Sequence, residues 1–230
     1  IQDSTWSERG QYLRDSGITV LSGMLEASGD DYSTLETIAM TGGLRQYVTW
    51  PSTEENAKCV AHIATQLQLP LVTFHAGFIP EDDREERTKM LDRLQKLSDI
   101  FGSRGILLGL ETGQERAENV VSVLEELYIQ QLGVNYDPAN MILYGKGDPI
   151  EAIKTLNSWV QQVHIKDAKE TEQVGTWGTE VPSGEGDVPW EEFLKLVPAN
   201  VNLIIEREGG DNRIHDIQQA KQMLEKFDAC

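Results

Sequence analysis

The stretch VNLIIEREGG, Val201 to Gly210, decides how this chain folds. A run of β-branched and aliphatic residues fit for a buried strand ends in the carboxylate of Glu206 and, shortly after, in two glycines. The same ending recurs upstream. LVTFHAG (Leu71 to Gly77), ILLGLETG (Ile106 to Gly113), LGVNYDPAN (Leu132 to Asn140) and VQQVHIKDA (Val160 to Ala168) each deliver a His, Asp or Glu at the C-terminal end of an apolar run. Helical spacing fills the gaps: Asp82–Phe101 carries Met90, Leu91, Leu94, Leu97 and Ile100, and Glu115–Gln130 carries Val120, Val121, Leu124 and Leu127. Thr53–Leu67 opens with Ser52 or Thr53 as N-cap and Glu55 close behind.

Strands are expected near Thr19–Leu25, Leu71–His75, Ile106–Glu111, Gly133–Asp137, Gln162–Lys166 and Asn202–Glu206. Strands alternating with helices form βαβ units and hence a parallel sheet with helices outside. An open sheet gathers ligands at one switch point, whereas a closed (β/α)8 barrel turns every strand's C-terminal end toward one mouth. Successive polar endings favour the barrel. Six strands are visible where eight are needed, so a strand, a helix and a second strand are expected to precede Ile1. The 230 residues fit one barrel domain. Its longest irregular stretch, Lys169–Pro189, follows a strand on the mouth side and reads as a lid or substrate loop.

Composition excludes several classes. With 38 acidic against 20 basic side chains, the net charge of −18 repels phosphate backbones and anionic membranes. No apolar run reaches a membrane span and no signal peptide opens the chain, so a cytoplasmic protein is expected. Cys59, in a helical pattern, reads as a small buried hydrophobe, and its pairing with Cys230 suggests no disulfide framework. His62 and His215 lie in helical patterns and are assigned to helix surfaces or packing.

Glu111, Asp137, His164 and Glu206 are spaced by one βα unit, one unit, and one unit plus the long loop. Singly, each has a bland reading as helix cap or loop residue. Converging, three carboxylates and an imidazole need a cation among them. The mixed O and N donor set suits one divalent ion: Mn²⁺, Mg²⁺, Zn²⁺, Co²⁺ or Fe²⁺. His75 ends its strand without a carboxylate near it in sequence, so contact with a ligand residue or with substrate is expected rather than ligation. Lys166 shares a strand face with His164 and points into the mouth, to hold a substrate hydroxyl, carboxylate or phosphate, or to pair with Asp137 or Glu206. Arg207 reaches the site only if the backbone turns at REGG. Trp177 and Glu180 either close over a bound substrate or pack the loop on itself or on a second subunit, so a homo-oligomer is compatible with the sequence.

In their order, LLGLETG, VNYDPANMILYG, VHIKDA, GEGDVPW and IEREGG, supported by TFHAGFIP, resemble the xylose isomerase-like TIM-barrel superfamily of sugar phosphate isomerases and epimerases, which also contains endonuclease IV. The resemblance implies a (β/α)8 barrel with a metal on Glu111, Asp137, His164 and Glu206, and an acid/base role for Glu111 and Glu206 on opposite faces of a carbohydrate substrate. The family's ketose 3-epimerases place a His three residues after the metal Asp; here that residue is Asn140, which can bind substrate but cannot titrate. The implied activity is isomerisation or epimerisation of a sugar, sugar phosphate or keto-polyol through an enediolate. Alternatives are a dehydratase or lyase, a non-catalytic binding protein, and an endonuclease-like hydrolase, the last disfavoured by the acidic chain.

Overall fold

A computed structural model describes residues 5–173 and 175–227. Cys230 and the residues before Thr5 lie outside this range. In chain order the elements are α1 (Thr5–Asp15), β1 (Gly23–Met24), α2 (Leu35–Thr41), α3 (Trp50–Leu67), β2 (Leu71–Phe74), α4 (Arg84–Gly102), β3 (Leu107–Glu111), α5 (Ala117–Leu127), β4 (Leu132–Tyr136) and α6 (Pro138–Leu143). There follow α7 (Pro149–Leu156), β5 (Val160–Ile165), β6 (Asp167–Lys169), β7 (Thr179–Val181), α8 (Trp190–Leu196), β8 (Asn202–Ile205) and α9 (Arg213–Lys226). Six strands form one parallel sheet in the order β1-β2-β3-β4-β5-β8. Every strand therefore ends on the same side. The sheet curls into a partial barrel whose edge strands are β1 and β8.

Strand alternation divides the sheet into two faces. Val72, Phe74, Leu108, Leu110, Val134, Tyr136, Val163 and Ile165, all buried, form the apolar layer under the helices. Met90, Leu94, Leu97 and Phe101 of α4 and Val120, Val123 and Leu124 of α5 belong to the same core, as helical spacing predicts. The other face is polar at its upper end: Thr73, Asn135, Gln162, Glu111, Asp137, His164 and Lys166 are buried. Between β4 and β5 the register shifts at Val134/Asn135. Gln161 is the extra residue of this bulge, and the offset sets Gln162 opposite Asn135, where Gln162 Nε2 donates to Asn135 Oδ1 (3.2 Å).

Three local expectations need correction. The first strand shrinks from Thr19–Leu25 to Gly23–Met24, because it pairs on one side only and Ile18, Leu21 and Met24 stay exposed. The cap of α3 is neither Ser52 nor Thr53: the helix starts at Trp50 with Pro51 in its first turn, and the Thr53 hydroxyl instead accepts from Ser28 N (3.0 Å). Cys59 is half-buried, since α3 turns Thr53, Ala57, Ala61 and Ala64 inward and leaves Cys59 on its flank. His62 and His215 are exposed on α3 and α9. No helix among the described residues is long and apolar enough to cross a membrane.

The long loop after β5 has structure of its own. β6 and β7 pair antiparallel, Asp167 with Val181 and Lys169 with Thr179, so the loop folds back over the mouth as a short hairpin. Asp167 holds its return. The fully buried carboxylate accepts from the backbone N–H of Ala168 (2.9 Å), Gly184 (2.8 Å), Gly186 (3.1 Å) and Val188 (3.2 Å), and from the Trp190 indole (2.8 Å). Gly186 is required there, since a Cβ would stand 2.1 Å from Asp167 Oδ1. The motif GEGDVPW is thus the far side of a carboxylate clamp.

Candidate metal centre

At the ends of β3, β4, β5 and β8, one ligand atom each from Glu111, Asp137, His164 and Glu206 lies within 4.8 Å of the others. His164 Nδ1 stands 3.5 Å from Glu111 Oε1, 3.4 Å from Asp137 Oδ2 and 3.1 Å from Glu206 Oε2. Neighbouring residues aim each ligand. Asp137 is both helix cap and candidate ligand: Oδ1 accepts from Asn140 N (2.9 Å) at the start of α6, which turns Oδ2 toward the centre. Its own N–H is held by Thr112 Oγ1 (2.8 Å). Glu111 accepts from Asn140 Nδ2 (3.1 Å) and Asn135 Nδ2 (3.3 Å), and His75 Nε2 lies 3.5 Å away. Asn135 Nδ2 also meets His164 Nε2 at 3.1 Å, fixing the ring.

Whether this set suits a cation is answered by its unsatisfied atoms. Asp137 Oδ2 and His164 Nδ1, both buried and both facing the centre, have no hydrogen-bond partner. Buried polar atoms are ordinarily paired, and a shared cation would satisfy both at once. The electrostatics agree. Burial opposes the charged His164 imidazolium, but Asp137, Glu111 and Glu206 outweigh it and push its pKa up to about 12. A field that holds a proton so firmly would also hold a divalent ion. Burial also works against the charged forms of Glu111 and Glu206; His75 and His164 outweigh it at Glu111, and His164 with Lys166 at Glu206, leaving both carboxylates more acidic than usual.

Five of the six remaining candidates, His75, Asn140, Lys166, Trp177 and Glu180, line one cavity of about 580 Å³. Lys166 Nζ donates to Glu206 (3.1 Å) and to Glu208, lies 3.4 Å from Asn140 Oδ1 and 3.7 Å from Asp137 Oδ2. Trp177 meets Tyr144 edge to face at 4.7 Å. Glu180 lines the wall, but its carboxylate accepts from Arg207 Nη1 (2.8 Å), Glu208 N (3.0 Å) and Gly209 N (2.9 Å). Arg207 does not line the cavity. The backbone does turn at REGG, yet the guanidinium turns sideways to Glu180 and to Asp216 (2.8 Å), tying the lid hairpin to the loop after β8.

Further lining residues were not singled out from sequence: Glu26, Asp30, Tyr32, Tyr144 and Glu208. Two carried a signal. Glu26 is a polar ending directly after the first strand, and Glu208 shares a face with Glu206 by period two, as Lys166 does with His164.

A solved structure of a xylose isomerase domain protein from Planctomyces limnophilus is 31% identical, covers 96% of this chain and 82% of its own, and superposes with a TM-score of 0.90. The probable 3-DHS dehydratase AsbF from Bacillus anthracis superposes at 0.73 with 17% identity over 96% of this chain and 81% of that one. D-psicose 3-epimerase with D-tagatose, from Clostridium cellulolyticum H10, superposes at 0.72 with 14% identity over 100% and 86%. The uncharacterized protein YihM of Escherichia coli (strain K12) is 32% identical over 98 residues, 42% of this chain but only 30% of that protein. The xylose isomerase-like TIM barrel family matches residues 3–228, and the chain belongs to it.

Proposed function

We propose that this protein is a divalent-metal-dependent isomerase or epimerase that moves a proton on a ketose or keto-polyol. The observation that carries the reading is the pair of buried, unpartnered atoms, Asp137 Oδ2 and His164 Nδ1, facing two further carboxylates within 4.8 Å. Glu111, Asp137, His164 and Glu206 would hold the ion, whose charge stabilises the negative oxygen that develops when a C–H beside a carbonyl is deprotonated. The chain supplies the proton transfers. Glu111 is nearly enclosed, oriented by Asn135 and Asn140, while Glu206 has a side chain 27% exposed and is oriented by Lys166. Both carboxylates are held ionised, as a base must be before it takes a proton. Glu111 and Glu206 approach the centre from β3 and from beyond β8, with β4 and β5 between them in the sheet. Return of the proton to the neighbouring carbon isomerises; return from the opposite face to the same carbon epimerises. Asn140 stands where it can hold a substrate hydroxyl, Lys166 lines the same cavity while paired to Glu206 and Glu208, and Trp177 roofs it from the lid.

The test is solvent deuterium exchange into a panel of ketoses and keto-polyols, with and without added Mn²⁺. Metal-dependent exchange is expected, abolished in Glu111→Gln and in Glu206→Gln and intact in His215→Ala. Full exchange in either glutamine variant would remove the acid/base assignment. Loss of water from the substrate would instead identify a dehydratase.

A further inference from the structure

Resting on that reading, we propose that the cavity selects an uncharged, unphosphorylated polyhydroxyl substrate, held by Asp30 and Glu26 of the cavity wall acting as hydroxyl acceptors. A phosphate ester or a carboxylate needs a free cation or free N–H groups. Apart from the proposed ion, the cavity's lining ammonium is already paired, and its unpaired ring nitrogen, His75 Nδ1, belongs to a ring set between the carboxylates Asp30 and Glu111. Its charged lining consists of the carboxylates Glu26, Asp30, Glu180 and Glu208 against the single ammonium of Lys166, with His75 facing Glu111. An ammonium has three N–H donors, and those of Lys166, only 2% exposed, are directed to Glu206, Glu208 and Asn140. Another cation near the mouth, Arg207, is paired with Glu180 and Asp216.

Two backbone donors beside the cavity are spent as well. Gly43 N donates to Asp30 Oδ1 (2.9 Å), and Asn140 N donates to Asp137. What remains open is acceptor capacity. Among the described residues Asp30 Oδ2 is met only by a long contact from the Tyr32 hydroxyl (3.4 Å), and Glu26 is exposed on the cavity wall. Burial raises the Asp30 pKa above its ordinary value, so the carboxylate gains from a hydroxyl donor and loses from a second anion beside it. Tyr32, Tyr144 and Trp177 supply aromatic surface for the C–H faces of a sugar.

The experiment measures, by calorimetry with Mn²⁺ present, the binding of D-fructose and D-tagatose, of their 6-phosphates, and of inorganic phosphate. At least one free ketose is expected to bind, its 6-phosphate at least about tenfold more weakly, and inorganic phosphate not to compete. Raising the salt should narrow the gap, and Glu26→Lys, at an exposed position, should narrow it further. A 6-phosphate bound as tightly as its parent sugar, competition by inorganic phosphate, or no binding of any free ketose would overturn the proposal. The two readings separate cleanly. A phosphorylated sugar that binds best and exchanges its proton refutes the substrate class and keeps the enzyme; a free ketose that binds without exchange does the reverse.

Discussion

Replacing Asp167 by Ala removes one carboxylate and strands five donors. Four are backbone N–H groups of residues 168, 184, 186 and 188, and the fifth is the Trp190 indole. Hydrogen bonds to a charged acceptor contribute about 1.5–3 kcal/mol each, so simple addition would exceed the stability of most domains. Two effects reduce that sum. The folded state no longer carries the desolvation cost of a carboxylate with zero exposure, and Gly184 and Gly186 N–H are half-buried, where water can replace the lost acceptor. The indole and the N–H groups of Ala168 and Val188 are buried and keep the full penalty, about 1–3 kcal/mol each. A net loss of about 3–5 kcal/mol is expected, with enhanced amide exchange concentrated in residues 182–190. Urea unfolding of Asp167→Ala and the parent protein measures the first, hydrogen exchange the second. A loss under about 1 kcal/mol, or protection unchanged in that loop, would show that the carboxylate does not hold the lid's return.

Burial pushes the Glu115 carboxyl up to about 7 from 4.5 against its bonds from Ile79 N (2.6 Å) and Asn119. The folded protein therefore binds a proton that the unfolded chain has lost, and this contribution, at most about 3 kcal/mol, is complete below pH 4.5 and lost as pH rises through 7. Urea unfolding across pH 5 to 8 should show that decline, and Glu115→Gln should flatten it; an unchanged slope in the variant would assign the decline elsewhere. Glu180→Gln weakens the contact with Arg207 Nη1 and with Glu208 and Gly209 N–H, so amide exchange should rise together in residues 175–181 and 206–210. A rise confined to one segment would mean that the lid and the loop after β8 are not coupled.

Much of this architecture was legible because parallel strands covered on both faces read as short apolar runs. The runs at Leu71, Ile106, Leu132, Val160 and Asn202 became β2, β3, β4, β5 and β8 within a residue or two. The four candidate ligands were legible for the same reason, since a buried run that stops at a charged residue marks where the chain meets the mouth. Asp137 shows that the bland and functional readings need not compete: one oxygen caps α6 while the other faces the centre. Arg207 and Glu180 were illegible as a pair. They are far apart in sequence, and no periodicity tells that the chain turns a guanidinium away from the cavity toward a lid strand. Asp167 was hidden likewise, because the five donors that define it come almost entirely from backbone amides, which carry no sequence signal.

The most direct test of the metal centre is anomalous scattering at the zinc edge from crystals soaked in Zn²⁺. A single strong peak is predicted, about 2.0–2.2 Å from Glu111, Asp137, His164 and Glu206 and absent in His164→Ala. No peak at that point, or ions held only at surface carboxylates, would contradict the account.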